Sequence, residues 1–146
     1  MTKRIAVDYG ERKLDIEVPD SATVVEYADP PALLEDPEAA VRDALANPLG
    51  MPPLAELARP GMKVAIGFDD ITRPALPAKL ILPRVVETLA RAGIEDRDIV
   101  FVNGCSNHRQ NTPAELAAHL GAGIFERFAP LGNIRNHDCD DPEGLR

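Results

Sequence analysis

The sequence predicts an α/β fold: a mainly parallel, Rossmann-like sheet flanked by helices, with an antiparallel hairpin at the N-terminus. Over residues 63–137, short apolar runs alternate with segments of helical periodicity in the order β-α-β-α-β, which is typical of a parallel sheet with right-handed crossovers. Residues 1–28 instead hold the hairpin and a candidate further strand, with apolar and polar positions alternating over Lys3–Asp8 and Lys13–Val18. Aromatic residues make up only 4% of the chain, so aliphatic side chains must fill a core between helices and sheet.

Size and charge narrow the class of protein. The 146 residues suit one domain, over residues 1–146, that buries its core without disulfides. The net charge of −8 repels phosphate backbones and disfavours a nucleic-acid partner. The two cysteines form no CxxC pair, which indicates a reducing compartment. No signal peptide is evident and no apolar run approaches the about 20 residues of a membrane span, so we expect a cytoplasmic protein without a membrane partner.

The first predicted elements are two strands. Lys3–Asp8 and Lys13–Val18 carry apolar residues at alternate positions, and Tyr9–Arg12 supplies a turn between them. This pattern predicts an antiparallel hairpin. Val24–Tyr27 is a candidate for a further strand.

Two helical segments are predicted next. Asp36 is a suitable N-cap, and Pro37 suits the first position of a helix that runs to about Ala46. Leu54–Ala58 adds one or two helical turns before a Pro-Gly pair breaks the pattern.

The predicted parallel core begins with a strand and a helix. Lys63–Phe68 is a compact apolar run that indicates a buried strand. From about Ala78 to Ala92, apolar residues recur near helical spacing, with Pro83 in the first turns. Gly93 is a suitable residue to end that helix.

The second half of the core repeats this order. Asp98–Val102 is predicted to be the next strand. Thr112–Glu115 has the residues of a capping box with proline at the first helical position, and the helix that it opens runs to about Leu120, where Gly121 stops it. Asn133–His137 is predicted to be a third parallel strand.

Two loops follow consecutive strands of this core, Asp69–Pro74 and Asn103–His108. Ligands of open α/β sheets bind outside the carboxyl ends of the strands. Adjacent strands would bring the two loops together. Any chemistry is therefore expected at these two loops.

The first loop is rich in groups that bind anions or accept protons. Asp69 and Asp70 offer carboxylates, Thr72 offers a hydroxyl, and Arg73 offers a planar fork that suits carboxylates and phosphates. Pro74 keeps Arg73 out of the α region and stiffens the loop there. The structural alternative is that Asp and Thr only cap a helix while Arg73 pairs with one of the two carboxylates.

The second loop ends in His108, a general acid/base candidate near neutral pH. Gly104 permits a tight turn or the close approach of a ligand, and Arg109 adds a hydrogen-bond donor. The alternative for His108 is an exposed side chain without a role. Cys105 with His108 as a nucleophilic pair is a minor option, because such pairs usually come from distant segments.

Other candidate sites are disfavoured. His119 lies within a predicted helix, where a packing role is expected. His137, Asp138 and Cys139 match no standard zinc spacing, so no metal site is predicted in this chain. No glycine-rich phosphate loop or GK[ST] motif is present, which disfavours an ordinary nucleotide-binding enzyme.

The motifs at the two loops resemble those of a known family. Phe68–Pro74 resembles the D-x-T-R-P loop of the lactate racemase family, the nickel-pincer nucleotide-dependent racemases and epimerases. Val102–Gly104 followed by His108-Arg109, with Thr112 and Glu115-Leu116 beyond, is similar to the second N-terminal signature of that family. Residues 46–50 and 54–58 also resemble its N-terminal portion, so the resemblance covers nearly the whole chain.

The resemblance implies an enzyme of two domains with its active site between them. Its cofactor is a nickel-pincer nucleotide, and its substrate is a small 2-hydroxy acid or sugar acid. By resemblance, Asp70, Ile71, Thr72 and Arg73 line the cofactor site, and Arg73 also helps to neutralise a substrate carboxylate. His108 is one of two acid/base histidines.

The resemblance also implies that part of the machinery lies elsewhere. The family's cofactor-tethering lysine, its nickel-binding histidine and its second catalytic histidine belong to a later segment, and this chain has no counterpart of them. Residues 138–146 are acidic and hold no helix to cover the sheet, so the chain either is cut there or carries a flexible acidic tail. We therefore expect an N-terminal domain that needs a missing C-terminal domain and is inactive alone.

Three alternatives stay open at this point. Instead of a racemase domain, the chain could be a non-catalytic anion-binding α/β module or a truncated and inactive homologue. It could also be a small hydrolase or transferase that uses Cys105 or His108.

Overall fold

The computed structural model describes residues 1–25, 30–73, 78–141 and 143, and it has the mixed α/β architecture that the sequence predicts. Residues 1–33 and 34–146 form two compact units. The single domain over residues 1–146 stays a prediction. No helix in the described ranges is long and apolar enough to cross a membrane.

The first unit contains the predicted antiparallel hairpin, β1 (Thr2–Tyr9) and β2 (Arg12–Pro19). The register pairs Ile5 with Ile16 and Val7 with Leu14, so alternation places these side chains on one face of the hairpin. Gly10 has a φ of +63° in the turn, a conformation that favours glycine.

The candidate strand over Val24–Tyr27 is not formed at Val24 and Val25, and residues 26 and 27 lie outside the described residues. The lysine side chain of Lys3 donates to the carbonyl of Ala22, at 2.7 Å, just after β2. The segment after β2 is therefore held to β1 by the side chain of Lys3. It does not add a third strand at Val24 and Val25.

In the second unit, two helices precede the parallel sheet. Helix α1 spans Pro37–Ala46, and its N-cap, Asp36, accepts a hydrogen bond from the backbone of Ala39 at 2.9 Å, as predicted for an N-cap with proline next to it. Helix α2 spans Leu54–Leu57. Both helices contact helix α3, which spans Ala78–Arg91.

The sheet contains β3 (Val64–Asp69), β4 (Ile99–Gly104) and β5 (Ile134–Asn136) in that spatial order, and both pairings are parallel. Helix α3 connects β3 to β4 and is followed by a short 3₁₀ turn at Asp96–Asp98. Helix α4 (Pro113–Leu120) follows β4. The predicted β-α-β-α-β order is confirmed.

The core of the second unit lies between this sheet and its helices. Phe101 of β4 and Phe128 are both fully buried, and their rings meet edge to face with centroids 4.9 Å apart. Ile99 of the same strand and Leu89 of α3 complete the centre of the core. The sidedness of β4 follows from strand alternation, because Ile99, Phe101 and Asn103 are buried on one face while Val100 and Val102 between them are partly exposed.

One helix was not predicted. The sequence indicated that the chain stops being helical at Gly121, and α4 does end there, at a φ of +85°. Helix α5 (Ala122–Phe128) then begins directly, and a 3₁₀ turn at Ala129–Leu131 follows it. Gly121 therefore redirects the helical path instead of ending it. The signal was the four-residue spacing of Ile124 and Phe128, which are both buried.

Candidate active site

The two candidate loops begin side by side at the carboxyl edge of the sheet. Asp69, the last residue of β3, is paired in register with Gly104, the last residue of β4. A Cβ at Gly104 would lie 3.3 Å from the carbonyl oxygen of Phe68, so the strands approach closely at this point. The prediction that neighbouring parallel strands would bring these loops together is confirmed.

Asp70 lies at the base of the site and is almost fully buried, with 3% of its surface exposed. Its Oδ1 accepts hydrogen bonds from the Thr72 hydroxyl at 2.5 Å and the Thr72 backbone N–H at 3.1 Å. Its Oδ2 lies 2.7 Å from Nδ1 of His108. The bonds from Thr72 and then His108 lower the pKa of Asp70 from 3.8 to about 2, so the carboxylate is charged at neutral pH.

His108 connects this buried carboxylate with solvent, since 46% of its side chain is exposed. An ionised carboxylate only accepts hydrogen bonds, so the Nδ1 of His108 carries the proton that lies between the two groups. In a neutral imidazole this leaves Nε2 without a proton. The pair therefore presents a nitrogen that can take up a proton, supported by a negative charge that stabilises the resulting imidazolium.

The His108 loop is a tight turn between two buried residues, Cys105 and Asn111. The backbone N–H of His108 donates to the carbonyl of Cys105 at 2.9 Å, and Ser106 has a φ of +54°. A positive φ is uncommon for serine and indicates a conformation that the surrounding contacts impose.

Arg109 is engaged within the chain. Its two terminal nitrogens donate to the two carboxylate oxygens of Glu115 at 2.6 and 2.9 Å. Glu115 also accepts from the backbone N–H of Thr112, which completes the predicted capping box of α4. The bonds from Arg109 and Thr112 lower the pKa of Glu115 from 4.5 to about 2. Arg109 therefore fixes the loop to α4, and its fork is already occupied.

Arg73 differs from Arg109. Its backbone N–H closes a turn on the carbonyl of Asp70 at 3.1 Å, and its side chain is exposed. Within the described ranges, its guanidinium forms no ion pair, so the alternative pairing with Asp69 or Asp70 is not formed. Pro74, which was expected to stiffen this position, lies outside the described residues.

Three asparagines that the sequence did not single out lie beneath the loops. Asn103 of β4 is fully buried, and its Nδ2 donates to Asn111 at 2.8 Å and to Asn136 of β5 at 2.9 Å. Asn111 in turn accepts a long bond of 3.4 Å from the backbone N–H of Ile71 in the first loop. The available signal was Asn103 itself, a polar residue at a core-facing position of an apolar strand.

The side chains of the remaining candidates form no hydrogen bond with Asp70 or His108 among the described residues. Cys105 is fully buried, and its thiol donates to Asn136 at 3.4 Å rather than to His108. His119 packs against Phe68, with ring centroids 6.0 Å apart, as expected for a packing residue. In the part of the chain that the structure describes, no cluster of three or more His, Cys, Asp or Glu residues could hold a metal ion.

The chain matches a known protein family over most of its length. The family model for the lactate racemase N-terminal domain matches residues 9–146. The chain belongs to the lactate racemase N-terminal domain family. The resemblance drawn from the two loop motifs is therefore confirmed, and the Asp70–His108 pair lies within the matched region of the domain.

The chain is also similar to a lactate racemase. The lactate racemase of Thermoanaerobacterium thermosaccharolyticum is 26% identical over 125 residues, which cover 84% of this chain. The matched part is 29% of that enzyme, so the chain spans less than a third of the length of this relative.

Proposed function

We propose that this chain is the N-terminal part of a racemase or epimerase of 2-hydroxy acids and that His108 is one of its acid/base groups. The observation that carries the proposal is the 2.7 Å contact between Nδ1 of His108 and the buried carboxylate of Asp70. It occurs at the carboxyl edge of a parallel sheet, where α/β proteins bind ligands. Membership in the lactate racemase N-terminal domain family supports the same assignment.

The chemistry explains why a histidine of this kind is needed. The α C–H of a 2-hydroxy acid is a weak acid, so its hydrogen leaves more readily as hydride while the hydroxyl loses a proton. Nε2 of His108 would take that proton, and Asp70 would stabilise the imidazolium that forms. When hydride returns to the opposite face of the resulting 2-oxo acid, the carbonyl oxygen takes up a proton, so a second base in its protonated form on the other side would complete the inversion. We propose that this second base belongs to a C-terminal domain.

The hydride acceptor would be the family's nickel-pincer nucleotide, which supplies an electrophilic carbon when bound. The residues of the first loop fit a nucleotide of this kind. The exposed guanidinium of Arg73 forms no ion pair with a described residue and suits a phosphate or a carboxylate. Ile71 and Thr72 lie between Asp70 and Arg73 in the chain, so they would line the same site.

Asp70 has a more specific part in this proposal than the sequence alone suggested. Both of its carboxylate oxygens are already engaged, Oδ1 by Thr72 and Oδ2 by His108. We therefore assign Asp70 to the cofactor-lining segment 70–73 as a residue whose charge acts through His108. The direct contacts with an anionic cofactor would come from Arg73.

A binding experiment tests the cofactor part on the chain itself. A pyridinium mononucleotide without nickel, nicotinic acid mononucleotide, is titrated into the ¹⁵N-labelled chain and followed by NMR. We expect shifts concentrated at Ile71–Arg73 and His108, with binding weakened at least about tenfold by Arg73→Gln. Arg59→Gln is the control, since it removes an exposed arginine that precedes β3 and so lies at the opposite end of that strand. Equal loss in both variants, or no shifts at the loops, would contradict the proposed site.

A turnover experiment tests the catalytic part. The longest reading frame that contains this chain is produced with its cofactor, and inversion of D-lactate and other 2-hydroxy acids is followed by chiral chromatography. We expect His108→Gln to lower kcat by about 10²- to 10⁴-fold, while Asn107→Ala in the same loop changes it little. The isolated 146-residue chain should invert none of these acids. Stoichiometric nickel binding and lactate inversion by the isolated chain would show that this division of roles is wrong.

The second candidate function is a non-catalytic anion-binding module, which is favoured by the exposed guanidinium of Arg73, since it forms no ion pair with a described residue. The two experiments separate the candidates. Binding that depends on Arg73, together with turnover that does not depend on His108, identifies a binding module. The cytoplasmic location stays a prediction under either function.

A further inference from the structure

Asn136, at the end of β5, contacts both ends of the His108 loop, taken here as residues 105–111. Its Oδ1 accepts from the thiol of Cys105 at 3.4 Å and from the backbone N–H of Asn111 at 3.2 Å. Its Nδ2 donates to the carbonyl of Asn111 at 2.9 Å. One carboxamide therefore pairs with both backbone groups of Asn111 and with the side chain at the start of the loop.

A fully buried residue holds that carboxamide in place. Asn103 is the register partner of Asn136 across β4 and β5, and its Nδ2 donates to Oδ1 of Asn136 at 2.9 Å. The Oδ1 of Asn103 is buried and has no hydrogen-bond partner among the described residues.

The network also reaches the other half of the candidate site. Oδ1 of Asn111 accepts from Nδ2 of Asn103 and from the backbone N–H of Ile71, which directly follows Asp70. The His108 loop is thus linked to the third strand on one side and to the Asp70 loop on the other. Between these anchors, residues 106–110 are exposed, and the 2.7 Å contact with Asp70 depends on where they are held.

We propose that Asn136 is a positioning residue for His108, which sets the distance and orientation of the imidazole toward Asp70 by holding both ends of the His108 loop. Among the described residues its side chain forms no hydrogen bond with His108 or Asp70, and it acts through Cys105 and Asn111. The inference rests on the proposed function only in that it treats His108 as an acid/base group. The geometry that it describes can be measured without turnover.

Asn133, directly before the same strand, offers a matched control. Its side chain also donates one part-buried hydrogen bond, to the backbone carbonyl of Asp96 at 3.0 Å. Asp96 belongs to the 3₁₀ turn before β4, so this bond lies at the amino end of the sheet. Asn133→Ala should therefore weaken the fold without moving the His108 loop.

The experiment compares Asn136→Ala with Asn133→Ala in the isolated chain. Imidazole ¹⁵N shifts of His108, measured with the ring in its neutral form, report which ring nitrogen carries the proton. We expect the parent chain and Asn133→Ala to show protonated Nδ1 and unprotonated Nε2. In Asn136→Ala the shifts should move to the mixed values of a solvent-exposed histidine. Amide exchange at His108 and Asn111, whose backbone N–H groups are hydrogen-bonded, should also speed up by about tenfold or more.

A folded Asn136→Ala variant with unchanged His108 shifts would overturn the proposal, and so would equal changes in both variants. If Asn136→Ala does not fold, the Asn136→Asp variant takes its place in the same measurement. It keeps the oxygen that accepts from Asn111 and loses the N–H that donates to the Asn111 carbonyl, so the His108 shifts must move in the same direction. These outcomes are independent of racemase activity. An inactive full-length enzyme would contradict the proposed function and leave the role of Asn136 to be judged on the shifts.

Discussion

Nδ1 of His108 lies 2.7 Å from Oδ2 of Asp70, so a half-exposed imidazole rests on an almost fully buried carboxylate. The second carboxylate oxygen is held by the hydroxyl and backbone of Thr72. Burial alone would favour the neutral acid, but these donors outweigh it and lower the pKa of Asp70 to about 2. The charge that faces His108 is therefore permanent at neutral pH, and the tautomer of the imidazole follows from it.

The first prediction concerns this charge. Asp70→Asn keeps the size of the side chain and lets an N–H₂ group face Nδ1, so His108 should move its proton to Nε2 and lose its function as a base. In the full-length enzyme we expect kcat to fall by about 10²- to 10⁴-fold. In the isolated chain, the ¹⁵N shifts of His108 should report the reversed tautomer. Asp69→Asn is the control for those shifts, because no hydrogen bond joins it to His108 among the described residues. Unchanged shifts in Asp70→Asn would contradict the prediction.

The second prediction concerns Thr72. Its hydroxyl donates the 2.5 Å bond that is the largest cause of the lowered pKa of Asp70. Thr72→Val removes the hydroxyl at nearly constant volume, so the pKa of Asp70 should rise from about 2 toward 3.8. Thr72→Ser keeps the hydroxyl and should leave the pKa low. The measurement is the ¹³C shift of the Asp70 carboxyl carbon against pH. Identical titrations for Val and Ser would show that the hydroxyl is not the cause.

Much of this arrangement was predictable from the sequence, because the signals are local. Thr112 and Glu115 meet within one helical turn, so their capping box could be predicted from spacing alone. The hairpin and the parallel strands followed from apolar periodicity. The meeting of the two loops followed from the rule for carboxyl ends of neighbouring strands.

The parts that were missed depend on contacts between distant segments. Asn136 is 25 residues from Asn111, and no pattern in the chain shows that their side chain and backbone pair. The sequence placed Asp70 and His108 in one site, but it could not show which oxygen faces which nitrogen across 38 residues. Helix α5 was missed because Gly121 both ends one helix and begins the next, and the four-residue spacing of Ile124 and Phe128 is a weak signal over so short a helix.

The third prediction concerns stability in acid. The folded-state pKa values of Asp70 and Glu115 are both lowered, to about 2, from 3.8 and 4.5. Between about pH 4.5 and 2 the unfolded chain therefore binds more protons than the folded chain, and the free energy of unfolding should fall as the pH falls through this range. Above this range both contributions are fully present. Urea unfolding at pH 6, 4 and 3 measures the trend.

Two variants assign the trend to these carboxylates. Asp70→Asn and Glu115→Gln should each be less stable than the parent at pH 6, and their stability should fall less between pH 6 and 3. Glu56→Gln serves as the control, since it removes an exposed carboxylate of α2 that has no ion pair among the described residues. A pH dependence that is the same in all four proteins would show that other groups control acid unfolding.

The last prediction separates the racemase proposal from a cysteine nucleophile. Cys105 is fully buried and bonded to Asn136, whereas Cys139 is exposed. In the native chain a thiol reagent such as 5,5′-dithiobis(2-nitrobenzoic acid) should therefore modify Cys139 rapidly and Cys105 only after urea is added, because reaction requires an accessible thiolate. Cys105→Ala should lower racemase turnover by no more than a few-fold, through loosening of the His108 loop. Rapid modification of both thiols, or loss of all turnover on an acyl substrate in Cys105→Ala, would instead assign the chemistry to Cys105.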